Sequence, residues 1–203
     1  MVNTDTVQIR PLTIEGALEI TPVQHGDSRG LFLEWFKAPM FEAAAGRPFD
    51  LAQANCSVSA AGVLRGIHFS EVPPGQAKYV TCVRGAALDV VVDVRVGSPT
   101  FGRWDSVLLD DVDRRGMFLD DGLGHAFMAL EDSTTVAYLC STGYSPGTEH
   151  GIDPLDPSIG VTWPSRTTDG APLAPVLSDK DATAPSLADA VAAGLLPVYA
   201  SLH

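Results

Sequence analysis

The sequence predicts an all-β fold, a barrel or sandwich of short strands, with one short helix in its N-terminal half and another near the C-terminus. From Leu51 to Val136 the chain is a succession of four- to nine-residue runs rich in β-branched and aromatic residues, each closed by Gly, Pro or Asp, at the spacing of such folds. Helical periodicity is missing from that whole span. The 203 residues suit a single domain with a substantial core, about 51–140 forming the barrel and 145–203 wrapping it.

Taken in order, residues 7–36 alternate apolar runs with turn chemistry, and GDSRG at 26–30 is a tight turn leading into the strand-like LFLEWF. The first helix is expected at Pro39–Ala45, with Pro at an early position and Gly46 as its terminator. The clearest strand is Leu88–Val96, which sets Leu88, Val90, Val92, Val94 and Val96 on one face and Asp89, Val91, Asp93 and Arg95 on the other. That second face suits a wet pocket or a solvated sheet surface equally well. A hairpin-like passage follows, from Trp104 to Leu109, through DDVDRRG, to Met117–Leu119. The Gly-rich turn DDGLGHAF then delivers His125 ahead of strands around Met128–Leu130 and Thr135–Cys140. After Pro146 the pattern loosens until Pro185–Gly194, where a Ser186 N-cap with Asp three residues on and an Ala-rich interior mark the second helix.

Composition narrows the function. A net charge of −12 argues against nucleic-acid binding, which needs a surplus of Lys and Arg. Any anionic ligand must meet a local basic cluster. The three cysteines lack metal-type spacing and leave an odd thiol, which suits a reducing cytoplasm. No apolar run approaches the roughly 18 residues of a membrane span, and the N-terminus lacks the apolar core of a signal peptide.

The stretch GVLRGIHFSEVPPGQAK, Gly62–Lys78, gathers Arg65, His68 and Lys78 in a chain with only 13 Lys and Arg. Taken alone, it reads as a reactive cluster or as a strand histidine between two solvated cations. Arg65 and His68, three apart, would face oppositely on a regular strand, and Gly66 between them is the natural place for a bulge that re-aims one of them. Metal-binding cupin barrels offer a comparison, since their first motif runs Gly, five residues, His, one residue, His. Gly62 and His68 keep that spacing, but Ser70 stands at the next ligand position, and serine is a poor ligand for a transition metal. In the second cupin motif Gly122 and His125 keep their places, while Asp120 replaces a Pro and Ala129 an Asn. The expectation is a cupin-like barrel with no metal site and no cofactor, its histidine free for proton transfer, for which an imidazole titrating near ~6.5 is suited.

Five segments, LRGIHFSEVPPGQAKYV, DVVVDVRVGSPTFGRWDSV, DGLGHAF, YLCSTGYSP and LSDKDA, in this order and spacing, resemble the dTDP-4-dehydrorhamnose 3,5-epimerase family, from about Leu12 to Pro197. The resemblance implies a metal-free, cupin-like jelly roll. Such a protein inverts the carbons flanking the ketone of a dTDP-linked 4-keto-6-deoxy hexose, and some members act at one carbon only. Inversion requires a proton to leave one face, an enolate to be held, and a proton to return on the other face. The resemblance assigns His68 as base, Asp181 as the carboxylate that orients it, Lys78 as partner of the enolate oxygen, and Tyr138 as the acid on the opposite face. It places Arg65 and Arg29 at the diphosphate, Gln53, Asn55 and Glu34 at nucleotide and sugar, and Tyr144 and Phe32 against thymine. His125 belongs at the pocket edge among the substrate-binding residues. A homodimer is also implied, with Arg29, Phe32 and Glu34 completing the neighbour's site. Two departures, Asp120-Asp121-Gly122 for Pro-Glu-Gly and Gly124-His125-Ala126 for Ala-His-Gly, leave the choice between double and single inversion open. A non-catalytic sugar-binding barrel is the more distant alternative.

Overall fold

The computed structural model describes residues 6–199. In chain order the N-terminal elements are β1 (Gln8–Pro11), β2 (Ala17–Thr21), β3 (Gln24–Asp27), β4 (Gly30–Leu33) and α1 (Ala38–Ala45). The central strands are β5 (Gln53–Ser59), β6 (Leu64–Ser70), β7 (Lys78–Arg84), β8 (Ala86–Val92), β9 (Trp104–Asp110), β10 (Gly116–Leu119), β11 (Gly124–Ala129) and β12 (Thr134–Cys140). Then come β13 (Glu149–Gly151), α2 (Asp179–Ala182) and α3 (Leu187–Ala192).

The strands build two antiparallel sheets, ordered β1-β2-β10-β7-β12-β5 and β13-β6-β11-β8-β9, with β3 and β4 paired only to each other. Val80, Met117 and Val136 from the first sheet meet Ala87, Val91 and Phe127 from the second in one interior core. The expected all-β, cupin-like fold is therefore present, and its first sheet also recruits the strands at residues 8–21. No described helix is long and apolar enough to cross a membrane.

The strand expected at Leu88–Val96 ends at Val92 and has no solvated face. Ala87 and Val91 point into the interior core, whereas Val90, Val92 and Val94 face a second core that the C-terminal segment covers with Ile159, Leu187 and Leu196. Beyond the strand, Asp93 and Arg95 are buried and bonded to each other, Arg95 donating from Nε at 2.8 Å and Nη2 at 2.9 Å. Burial disfavours the Asp93 carboxylate, but Arg95 and the hydroxyls of Ser98 and Thr100 outweigh it and hold its pKa below the ordinary value. Arg95→Met strands this carboxylate in the interior and is expected to cost about 3–5 kcal/mol in chemical denaturation. A loss under about 1 kcal/mol would show the pair to be dispensable.

The hairpin expected across residues 104–119 does not form. β9 pairs with β8, while β10 inserts between β2 and β7 in the opposite sheet. Burial explains the split, because Val107 and Leu109 enter the interior core from one wall and Met117 and Leu119 from the other. The first helix is as expected, with Pro39 in its first turn and Gly46 closing it at φ 74°. Its Phe41 packs edge-on against Phe118, within an apolar cluster that also holds Tyr79. The C-terminal helix is shorter than the sequence suggests, but Ser186 caps it, accepting from the Asp189 N–H at 3.1 Å. The single turn α2 was not foreseen. It is capped by Ser178 and carries Asp181.

Candidate active site

A cavity of ≈ 370 Å³ opens between the two sheets. One wall comes from β6 and β11, which supply Arg65, His68 and His125; the other comes from β5, β7 and β12, which supply Gln53, Asn55, Lys78 and Tyr138. Asp181 and Tyr144 reach the cavity from the C-terminal wrapping.

Gly66 solves the facing problem on β6. His125 lies opposite His68 and Phe127 opposite Arg65, so two steps along β11 span three along β6, and the extra residue is a bulge. Gly66 sits at φ 115°, and a Cβ there would stand 2.5 Å from the His125 carbonyl oxygen and 2.7 Å from the Ala126 Cβ. Only glycine fits, and both Arg65 and His68 reach the cavity.

His68 Nε2 lies 2.7 Å from Asp181 Oδ1, and the other carboxylate oxygen accepts the Ser178 hydroxyl at 2.9 Å. Burial works against ionisation of Asp181, yet the bonds from His68, Ser178 and the Gly66 N–H hold its carboxyl below the usual range. It is an acceptor, so the His68 Nε2 carries a proton and Nδ1 keeps its lone pair. On the facing sheet, burial pulls the Lys78 ammonium down from 10.5 and pushes the Tyr138 phenol up from 10.0. Tyr138 is thus a proton donor at neutral pH. Gln53 donates to Asn55 Oδ1 at 2.8 Å and accepts from the Tyr144 N–H at 2.8 Å, tying the polar end of the cavity together.

Nine of the twelve residues singled out from the sequence line this cavity. Arg29, Phe32 and Glu34 do not. They lie on or just after the β3–β4 hairpin, which pairs with neither main sheet. There Arg29 is 88% exposed and paired with Asp27, Phe32 is 65% exposed, and Glu34 is paired with Lys37. Sequence reasoning missed several lining residues. Ser178 and Lys180 flank Asp181 in LSDKDA and were legible there. Glu149 has no local signal; β13 brings it in by pairing with the edge of β6, where it lies opposite Ser70, and it then approaches Lys180 at 3.6 Å. Among the described residues no three His, Cys, Asp or Glu side chains converge as a metal site.

The family model described as dTDP-4-dehydrorhamnose 3,5-epimerase matches residues 11–189. The dTDP-4-dehydrorhamnose 3,5-epimerase of Mycolicibacterium smegmatis is 62% identical over 191 residues, 94% of this chain and 91% of that protein. NovW of Streptomyces spheroides, a 4-keto-6-deoxy sugar epimerase from a novobiocin gene cluster, superposes with TM-score 0.92 at 55% identity, covering 98% of this chain and 96% of its own. ChmJ of Streptomyces bikiniensis, a 3'-monoepimerase seen with dTDP-quinovose, gives TM-score 0.89 at 53% identity over 95% of this chain and 94% of its own. With the sequence match spanning both walls of the cavity, this chain belongs to the dTDP-4-dehydrorhamnose 3,5-epimerase family.

Proposed function

We propose that this protein is an isomerase that inverts carbons 3 and 5 of a dTDP-linked 4-keto-6-deoxy hexose through enolate intermediates. The observation that carries the reading is the placement of His68, backed by Asp181, on one sheet and the half-buried phenol of Tyr138 on the other, facing one cavity beside the buried ammonium of Lys78. His68 Nδ1 takes the proton next to the ketone, and Asp181 stabilises the imidazolium that forms. Lys78, itself buried, meets the enolate oxygen, and its charge is worth far more there than in bulk solvent. Tyr138 returns a proton from the other sheet, hence to the other ring face. Reprotonation there is inversion.

Arg65 is oriented for the diphosphate by the Ser59 hydroxyl at 3.2 Å, and a guanidinium engages two phosphate oxygens at once. Gln53, Asn55 and His125 hold polar atoms of the nucleotide-linked sugar, and the exposed Tyr144 ring stacks on thymine. Arg29, Phe32 and Glu34, remote from their own cavity, complete the site of a second copy in a homodimer. The enzyme works as a single domain in the cytoplasm, where its three free thiols remain reduced.

The test is an NMR time course in deuterium oxide with dTDP-4-keto-6-deoxyglucose, following carbons 3 and 5 separately. Deuterium and inversion at both carbons are expected. Similarity to a 3'-monoepimerase makes the other outcome concrete, since change at carbon 3 alone would make this a single-carbon epimerase. Absence of any exchange would leave a sugar-binding barrel.

The role given to Lys78 also sets a pH dependence. It acts as a charged ammonium, and burial lowers its pKa, so kcat/KM falls as pH rises through that lowered value and the alkaline limb begins below pH 10.5. Lys78→Arg keeps the charge to higher pH. It is expected to move the limb upward, and an unmoved limb would assign it to another group.

A further inference from the structure

Behind the cavity-lining His125 lies a carboxylate that the proposed mechanism leaves unused. His125 Nε2 lies 2.7 Å from Asp89 Oδ1, and His125 is the direct register partner of His68 on the neighbouring strand. Asp89 is 0% exposed and sits between Ala87 and Val91 on the interior face of β8, with Phe127 and Val107 as its cross-strand neighbours. Its Oδ2 has no hydrogen-bond partner among the described residues. A carboxylate placed in an apolar wall with one oxygen unmatched is costly for folding. What it secures is the state of the ring in front of it.

Asp89 Oδ1 is an acceptor, so it binds the Nε2–H and leaves Nδ1 of His125 with a lone pair. That ring lines the cavity, and its Nδ1 is not among the buried atoms lacking a partner. We propose that Asp89 is a positioning residue that fixes His125 as a hydrogen-bond acceptor for a hydroxyl of the hexose, aligning the ring with the neighbouring His68. The proposal rests on the reading of this cavity as a sugar-nucleotide epimerase site and names one of its determinants: a hydroxyl donor beside the reacting carbons. A lysine or arginine could only donate at this place, whereas a bare imidazole nitrogen accepts the hydroxyl proton.

Nitrogen-15 NMR of the imidazole rings, assigned with His125→Gln, reads the tautomer directly in the unaltered protein. A protonated Nε2 with a bare Nδ1 at neutral pH is expected. Adding dTDP-6-deoxyglucose, which lacks the ketone and does not turn over, is expected to shift Nδ1 upfield as it accepts the hydroxyl. Protonation at Nδ1, or no shift on saturation with this probe, overturns the proposal whether or not the enzyme epimerises anything. Asp89→Asn offers an amide N–H that drives the ring proton to Nδ1, the wrong-tautomer effect known for Asp-to-Asn changes behind histidines. It is expected to raise KM about tenfold or more, the effect of one unmade hydrogen bond, while dTDP affinity is kept. An Asp89→Asn enzyme with altered tautomer and unaltered KM also overturns it. If wild-type enzyme shows no exchange in deuterium oxide but the ring behaves as described, the epimerase reading fails and the positioning role survives as a binding role.

Discussion

His68→Ala is expected to abolish deuterium exchange at both carbons of dTDP-4-keto-6-deoxyglucose, with a loss of about 10³-fold or more, the scale of a missing general base. Binding of dTDP is expected to stay near wild type, because Arg65, Gln53 and Tyr144 are untouched. Proton removal precedes inversion at either carbon, so the two exchanges vanish together. The side chain lies in a cavity, not in a packed core, which limits any cost to stability, and Asp181 keeps its bond from Ser178. Exchange at the wild-type rate in the variant would remove His68 from the role of base. Exchange lost at one carbon only would assign the other carbon to a second base.

Tyr138→Phe separates the two halves of the reaction. The ring still packs against the interior core, but the proton donor of the facing sheet is gone. Net inversion is expected to fall about 10²–10³-fold, while exchange driven by His68 falls by less than about tenfold. The enolate then collects its proton mainly from the face that lost it, and deuterium accumulates without change of configuration. Equal loss of exchange and inversion would make Tyr138 a structural or binding residue. Because burial already holds this phenol above pH 10.0, the wild-type donor is present throughout the neutral range.

The parts of this structure that were legible in the sequence are those fixed by near neighbours. Gly46 and Ser186 act within a few residues, and the helix ends follow from them. The bulge at Gly66 was legible for the same reason, as two cavity residues three apart need an odd residue between them. Partnership between strands was not. Trp104–Asp110 and Gly116–Leu119 look like a hairpin because they are adjacent, yet each is claimed by a different sheet whose apolar faces it completes. Charge burial misled in a similar way. On sequence alone Asp89, Asp93 and Arg95 suggest a wet face, whereas in the fold all three are buried, Asp89 against His125 through one oxygen and Asp93 with Arg95 within the 93–100 loop. Within the site, His68 and Lys78 stood out as part of a local basic cluster, Tyr138 and Asp181 came from motif resemblance, and Glu149 escaped because only the docking of β13 brings it there.

The division of the cavity between two sheets has a stereochemical consequence. On the proposed reading, a pyranose entering the cavity lies with one face toward β6 and the other toward β12. In a gluco-configured hexose the hydrogens on carbons 3 and 5 lie on the same ring face. A wall that owns that face can therefore address both carbons in turn, while the opposite wall supplies both returning protons. The sugar never has to turn over; a small slide or tilt within the cavity is enough. On the proposed reading, the face that loses a proton and the face that regains one are set by which strands lie on which side, a property of chain topology.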